Sequence, residues 1–350
     1  MATLIINKTV AMLRKFCLPV LVLVAVSAAA QFKNDNVLYK TVDPADLCAT
    51  LDRNKGYILL DVRSKGEYDD TSSSPSYNLG HIKGARNMDI RELGQRLGEI
   101  KEYKDRPVFV YCSHSQRSRR AGKMLADSGF SNIYNINGGM TAIHYSGADQ
   151  KGCLKTLVET KNTYAIISAD ELWSRTMKKI INDVFVLDVR SDSAFRHISL
   201  NAKENALGMI KGTVHIPLAE LATKLSSVPK EGKQIVLTDM YGDEAAKAAV
   251  ILNKSGYDKV SVLVEGIDRL LSTVGEGPAR KTPFYQSPVS YELISVVQFG
   301  RLATSTNDFI LLDIRTTDEF SNKHKDYWRN IGHIKNAINI PAADIRNRVA

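Results

Sequence analysis

The chain has 350 residues, room for two or three domains with full cores, and its 44% apolar content is that of an ordinary globular protein. Its formal net charge is +9, yet no arginine-rich tract with interleaved aromatics marks a nucleic-acid surface. The basic surplus suits small anionic partners instead.

Residues 1–30 read as a secretory signal. A basic start precedes the apolar stretch from Phe16 to Val26, and the small residues Ala28, Ala29 and Ala30 precede Gln31 as a cleavage site. The competing reading, an uncleaved anchor, needs a longer apolar run. Loss of Lys8, Arg14 and Lys15 would leave the mature chain at about +6 by the same count. Cys17 lies inside the apolar run rather than after it, which argues against a lipoprotein. The expectation is a mature protein with no stable membrane insertion, periplasmic or secreted.

The mature chain keeps Cys48, Cys112 and Cys153, which make no paired disulfide framework. Cys48, in DPADLCATL, sits on a helix face beside Leu47 and Leu51 and reads as core filling. Cys153 lies in a polar connector and reads as incidental. A bond from either to Cys112 is left open by the sequence.

From residue 36 onward the chain repeats itself at domain length. The apolar run Tyr57-Ile58-Leu59-Leu60 leads into Asp61-Val62-Arg63. The same LDVR pattern returns at Leu187–Arg190 and, as LDIR, at Leu312–Arg315, with the aspartates spaced 127 and then 125 residues apart. A second signature follows each: GHIKGARN at 80–87, GMIKGTVHIP at 208–217 and GHIKNAINIP at 332–341. Unit one spans 36–147, unit two 163–274, and a partial unit three 289–350. A polar connector at 148–162 and a Gly/Pro-containing one at 275–288 separate them. Strands alternating with helices imply, for each unit, a parallel sheet covered on both faces. Unit three stops before the strand and loop that matter most, since the offset of 31 residues from His81 to Cys112, applied to His333, passes the end at Ala350. A half-unit leaves a sheet edge and apolar faces uncovered, which favours a fragment of a longer protein over a remnant.

The chemistry concentrates in Val108–Leu125, VFVYCSHSQRSRRAGKML. Val108 to Tyr111 form a β-prone apolar run, and Ala121, Met124 and Leu125 recur at helical spacing. Cys112 falls where the strand ends and the loop Ser113-His114-Ser115-Gln116-Arg117-Ser118 begins, the ligand position of open α/β sheets. Loop amides and a helix N-terminus favour an anion there, so the position predicts a thiolate of lowered pKa. Arg117 closes the loop, and Arg119, Arg120 and Lys123 add positive charge behind it. At the matching place unit two reads Asp239 for the cysteine and Glu244 for Arg117, so that copy lacks a nucleophile and should repel anions. Because the LDVR pattern persists in unit two, Asp61 and Arg63 read as structural partners. His81, matched by His333 but by Met209 in unit two, reads as a turn residue. No metal-ligand cluster or cofactor motif appears.

Together the LDVR strand, GHIKGARN, the CSHSQRS loop and the later Asn137-Gly138-Gly139-Met140 resemble the rhodanese family. The resemblance implies repeated rhodanese-like domains, each a parallel five-stranded sheet flanked by helices, with the third copy incomplete. Single-domain members carry a Cys-x-x-Gly-x-Arg-Ser loop. Cys112, Arg117 and Ser118 fit it, whereas Ser115 replaces the glycine and would be strained if that position needs φ > 0. Four residues lie between Cys112 and Arg117, the sulfurtransferase length, while phosphatase-like relatives have five. The implied activity is transfer of sulfane sulfur from thiosulfate or a similar donor, through a Cys112 persulfide, to cyanide or a thiol. The implied substrate-binding set is Ser113, His114, Ser115, Gln116, Arg117 and Ser118, with no cofactor. The alternative is a persulfide-carrying or non-catalytic protein-binding module.

Overall fold

The computed structural model describes residues 38–146, 153–177 and 183–273 and, with short breaks, 285–348; the leader of the sequence reading lies outside the described residues. In chain order the first unit contains β1 (Lys40–Val42), α1 (Pro44–Arg53), β2 (Ile58–Asp61), α2 (Lys65–Tyr68), β3 (His81–Ile82), β4 (Arg86–Asn87), α3 (Ile90–Arg96), β5 (Val108–Tyr111), α4 (Gln116–Asp127), β6 (Ile133–Ile136) and α5 (Gly139–Ser146). Its sheet is parallel, in the order β1-β6-β5-β2-β4, so the strand that ends at Cys112 is central.

A parallel strand buried on both faces reads as a continuous apolar run, and Val108 to Tyr111 are all 0% exposed. The pleat alternates them. Phe109 and Tyr111 pack with Leu59, Leu47 and Ile143 on the α1/α5 face, and Val108 and Val110 with Leu60, Leu93 and Leu125 on the α3/α4 face. Both clusters therefore hold the strand before the loop, and the second also holds α4 after it.

The described part of the polar connector, from residue 153, is ordered against the first unit. It forms α6 (Cys153–Leu157) and β7 (Val158–Glu159), and β7 pairs antiparallel with β3. Leu154 is buried in the first unit's core, and Cys153 is bonded to Cys48 with Cα atoms 6.5 Å apart. Cys48 is thus a disulfide partner rather than core filling alone, and Cys153 is not incidental. Sequence spacing hid the pair because 105 residues separate the partners, while α1 and α6 pack together in space. Cys112 is the free cysteine among the described residues.

The second unit repeats the plan with β8 (Ala165–Ile167), α7 (Ala169–Met177), β9 (Val184–Asp188), α8 (Asp192–Phe195), α9 (Ala202–Ala206), β10 (Met209–Ile210), β11 (Val214–His215), α10 (Leu218–Leu221), β12 (Gln234–Thr238), α11 (Asp243–Lys254), β13 (Val260–Leu263) and α12 (Gly266–Thr273). Its parallel sheet runs β11-β9-β12-β13-β8, the same order met from the other edge. Val264 is buried in the first unit's core cluster, Tyr145 Oη donates to the Val264 carbonyl at 2.8 Å, and the Ser76 amide donates to Asp243 Oδ1 at 2.9 Å. The two units therefore pack as neighbours with their cysteine and aspartate loops on one side.

In the third repeat Leu312–Asp313 pairs in parallel with Ile338–Asn339, and Ile310, Ile314 and Ile338 are more than half exposed. Arg120 of α4 lies over the Trp328 ring, 4.8 Å from its centroid, so this repeat rests on the outer side of α4. Among the described residues no helix is long and apolar enough to cross a membrane.

The repeated Asp-x-Arg signature is structural in all three copies, as its survival in unit two implies. Asp61 and Arg63 are fully buried, their side chains bonded at 2.6–3.0 Å, and Arg63 also donates to the Gly80 carbonyl at 2.6 Å. Arg190 and Arg315 make the matching bonds to Asp188 and Gly208 and to Asp313 and Gly332. Each arginine ties the end of the strand that carries the first signature to the turn that carries the second. His81 has the turn role too: its Nδ1 meets the Tyr68 carbonyl at 3.0 Å and its ring stacks on Tyr68.

Candidate active site

Cys112 begins the turn out of β5, and its carbonyl accepts the Met140 amide at 2.9 Å. Gly139, at φ +57, lies so close that a Cβ there would stand 2.0 Å from that carbonyl, which explains the Gly138-Gly139 pair. The cysteine is deeper than a loop nucleophile needs to be, with 1% of its surface exposed. It nevertheless lines a cavity of about 390 Å³ together with Glu67, Ser72, Ser74, Tyr77, Ser113, His114, Gln116 and Arg117. Cys112 therefore meets the outside through the wall of that cavity and not across an open surface.

The loop turns into α4 at Ser115, whose φ of +76 is left-handed. The strain foreseen for a serine here is present, and the side chain offsets it. Ser115 Oγ accepts the Gly138 amide at 2.6 Å and donates to the Ile136 carbonyl at 3.3 Å. In the second unit Gly242 holds the same place at φ +98. Ser118 is fully buried, with its Oγ 2.6 Å from Asn135 Oδ1. Neither hydroxyl faces the cavity, so Ser115 and Ser118 can serve a bound anion only through their amides. Ser113, His114, Gln116 and Arg117 do line it. Arg119, Arg120 and Lys123, by contrast, are not among its walls: Arg120 covers Trp328 and Lys123 pairs with Asp127.

The second unit displays what this loop does with an anion. Asp239, at the place of Cys112, accepts the amides of Gly242 at 2.5 Å, Glu244 at 2.6 Å and Ala245 at 3.2 Å. The matching amides in unit one belong to Ser115, Arg117 and Ser118. Burial outweighs these bonds for the carboxyl itself and pushes Asp239 up to about 6.

Glu67 was not legible as a site residue. The Ser64-x-x-Glu67 capping box of α2 orients it, and its carboxylate takes both ends of the Arg117 guanidinium, at 2.5 and 2.6 Å. Arg117 also donates to Ser113 Oγ at 2.9 Å. Burial alone would raise the Glu67 carboxyl and lower Arg117. The paired bonds win, and Glu67 lies below and Arg117 above its ordinary value. One signal could have revealed the pair: unit two replaces both members, with Ala194 and Glu244. His114 reaches the other way. Its Nε2 contacts Glu265 Oε1 of the second unit and lies 3.3 Å from Thr141 Oγ1.

A free cysteine at the carboxyl end of a central parallel strand, ahead of a helix N-terminus and beside a fixed arginine, sits where α/β proteins hold ligands and where an anion is favoured. The sequence profile of the rhodanese-like domain matches residues 43–145 and 168–273, more than half the chain, and the chain belongs to that family. A thiosulfate sulfurtransferase GlpE of Shewanella oneidensis is 35% identical over 79 residues, covering 23% of this chain and 76% of that protein. An uncharacterised Bacillus subtilis protein, YqhL, is 42% identical over 81 residues, 23% of this chain and 56% of its own length. A solved thiosulfate sulfurtransferase from Pseudomonas aeruginosa matches 87% of this chain and 58% of its own, at 15% identity and a TM-score of 0.27. Sulfur transfer is the class of chemistry that the family match and the GlpE relative support.

Proposed function

We propose that the chain is an exported sulfurtransferase whose first unit moves sulfane sulfur from thiosulfate, or a similar small anionic donor, to a thiophilic acceptor through a persulfide on Cys112. The observation that carries this is Cys112 at the floor of the cavity beside Arg117, in a loop whose twin holds a carboxylate on three amides. The Cys112 thiolate attacks the outer sulfur of thiosulfate, the S–S bond breaks with its electron pair on the departing sulfite, and the sulfur stays on Cys112. An acceptor, cyanide or a thiol, then removes that sulfur and restores the thiolate, which makes the kinetics ping-pong. The amides of the Ser113–Ser118 loop stabilise both anions, and Arg117, held by Glu67 and Ser113, keeps the loop closed. Unit two has no nucleophile and serves as scaffold and wall.

The apolar leader supports export, and the Cys48–Cys153 disulfide fits an oxidising compartment. The test is thiocyanate formation from thiosulfate and cyanide, with mass spectrometry of the loaded protein. The expected gain is one sulfur, ~32 Da, on the Cys112 peptide. Cys112→Ser should abolish both readouts and Asp239→Ala should retain them; thiocyanate formation that survives Cys112→Ser overturns the assignment. Stoichiometric loading without turnover would instead mark a persulfide carrier.

A further inference from the structure

His114 separates two cavities. On one side is the Cys112 chamber. On the other, between the units, is a space of about 430 Å³ that shares Ser74, Tyr77 and His114 with it. The second unit supplies the far wall: Asp243 at the start of α11, and Glu265, Asp268 and Arg269 before and along α12. Three carboxylates against the Arg269 guanidinium and the Lys203 ammonium, which pairs with Asp268 at 3.2 Å, leave this wall net negative and a poor seat for another oxyanion. Donor and acceptor would then enter by different doors, the anion beside Arg117 and a neutral or cationic acceptor between the units.

Glu265 stands where unit one has Gly138 and keeps the same left-handed backbone, φ +55 against +70, despite its side chain. That side chain is three-quarters buried and meets His114 Nε2, with Arg269 Nε 3.6 Å from its other oxygen. A hydrogen on Nε2 directed at Glu265 leaves the ring's lone pair on Nδ1. A carboxylate that fixes the tautomer of an imidazole beside a nucleophile is the arrangement of a positioned base.

We propose that the inter-unit cavity seats a thiol acceptor, and that Glu265 of the second unit positions His114 to take that thiol's proton. The proposal rests on the sulfurtransferase reading above and names its acceptor side. The acceptor S–H bond breaks, with the proton going to His114 Nδ1. The thiolate pair forms a new S–S bond to the outer sulfur of the Cys112 persulfide. The old S–S bond breaks with its pair on Cys112 Sγ, and the imidazolium returns the proton to the departing persulfide. Sulfur passes from one thiol to another, so no outside oxidant or reductant is required.

The experiment charges Cys112 of the full chain with inorganic polysulfide, which bypasses the donor step, and follows single-turnover discharge to 2-mercaptoethanol and to sulfite at pH 8. Sulfite arrives without a proton to lose. In His114→Ala the ratio of thiol to sulfite discharge should fall on the order of 10²-fold, the scale of general-base catalysis, and added imidazole should restore it in part. Glu265→Gln should lower the same ratio by less. An unchanged ratio, or equal slowing of both acceptors, overturns the proposal, because a merely structural contact cannot distinguish them. A wild-type protein that discharges polysulfide sulfur but never loads from thiosulfate refutes the donor assignment alone, and the ratio still decides this one.

Discussion

Arg117 and Glu67, 50 residues apart in sequence, meet through two parallel N–H···O bonds, while the same guanidinium holds Ser113. A lysine ammonium cannot present that fork. Arg117→Lys should therefore raise the KM for thiosulfate and slow persulfide formation by about tenfold or more, the equivalent of losing one charged hydrogen bond. Sulfite release in a single turnover measures it.

Lowering the pH tests the same pair from the side of stability. Glu67 titrates below its unfolded value, so its contribution is complete above the ordinary carboxylate range and is lost as the pH falls through the lower folded value. Glu67→Gln should remove that acid limb from a denaturation series taken as a function of pH.

Asp239 has the opposite sign. Its folded value of about 6 lies above the unfolded one, so the stability it contributes is full below about pH 4 and is lost as the pH rises through about 6. The fall is on the order of 2–3 kcal/mol. In Asp239→Asn, stability should no longer decline over that interval.

Ser115 combines left-handed strain with two compensating bonds. Ser115→Gly removes both and should leave stability within about 1 kcal/mol of wild type. Ser115→Ala keeps the strain and loses the bonds, a cost of about 1–3 kcal/mol. Chemical denaturation of the two variants separates strain from bonding.

The Cys48–Cys153 bond closes a loop of 105 residues, and replacing both cysteines with serine should cost roughly 2–4 kcal/mol. Thiol titration of the unfolded wild-type protein without reductant should leave this pair silent. Asp61→Ala, which abandons a fully buried Arg63, should cost about 3–5 kcal/mol.

The repeats, the parallel sheets, the place of Cys112 and the structural standing of Asp61 and Arg63 were all readable along the chain, because they follow from local periodicity and from three copies that can be compared position by position. Strand burial and helix spacing are short-range properties, and a sequence states them directly. What joins residues far apart was not readable. Glu67 reaches Arg117, Cys153 reaches Cys48 and Glu265 reaches His114 only once the sheets have formed and the units have packed, since each contact depends on where helices and turns come to rest. The depth of Cys112 belongs with these: 1% exposure at a loop position arises from the walls that other segments raise around it.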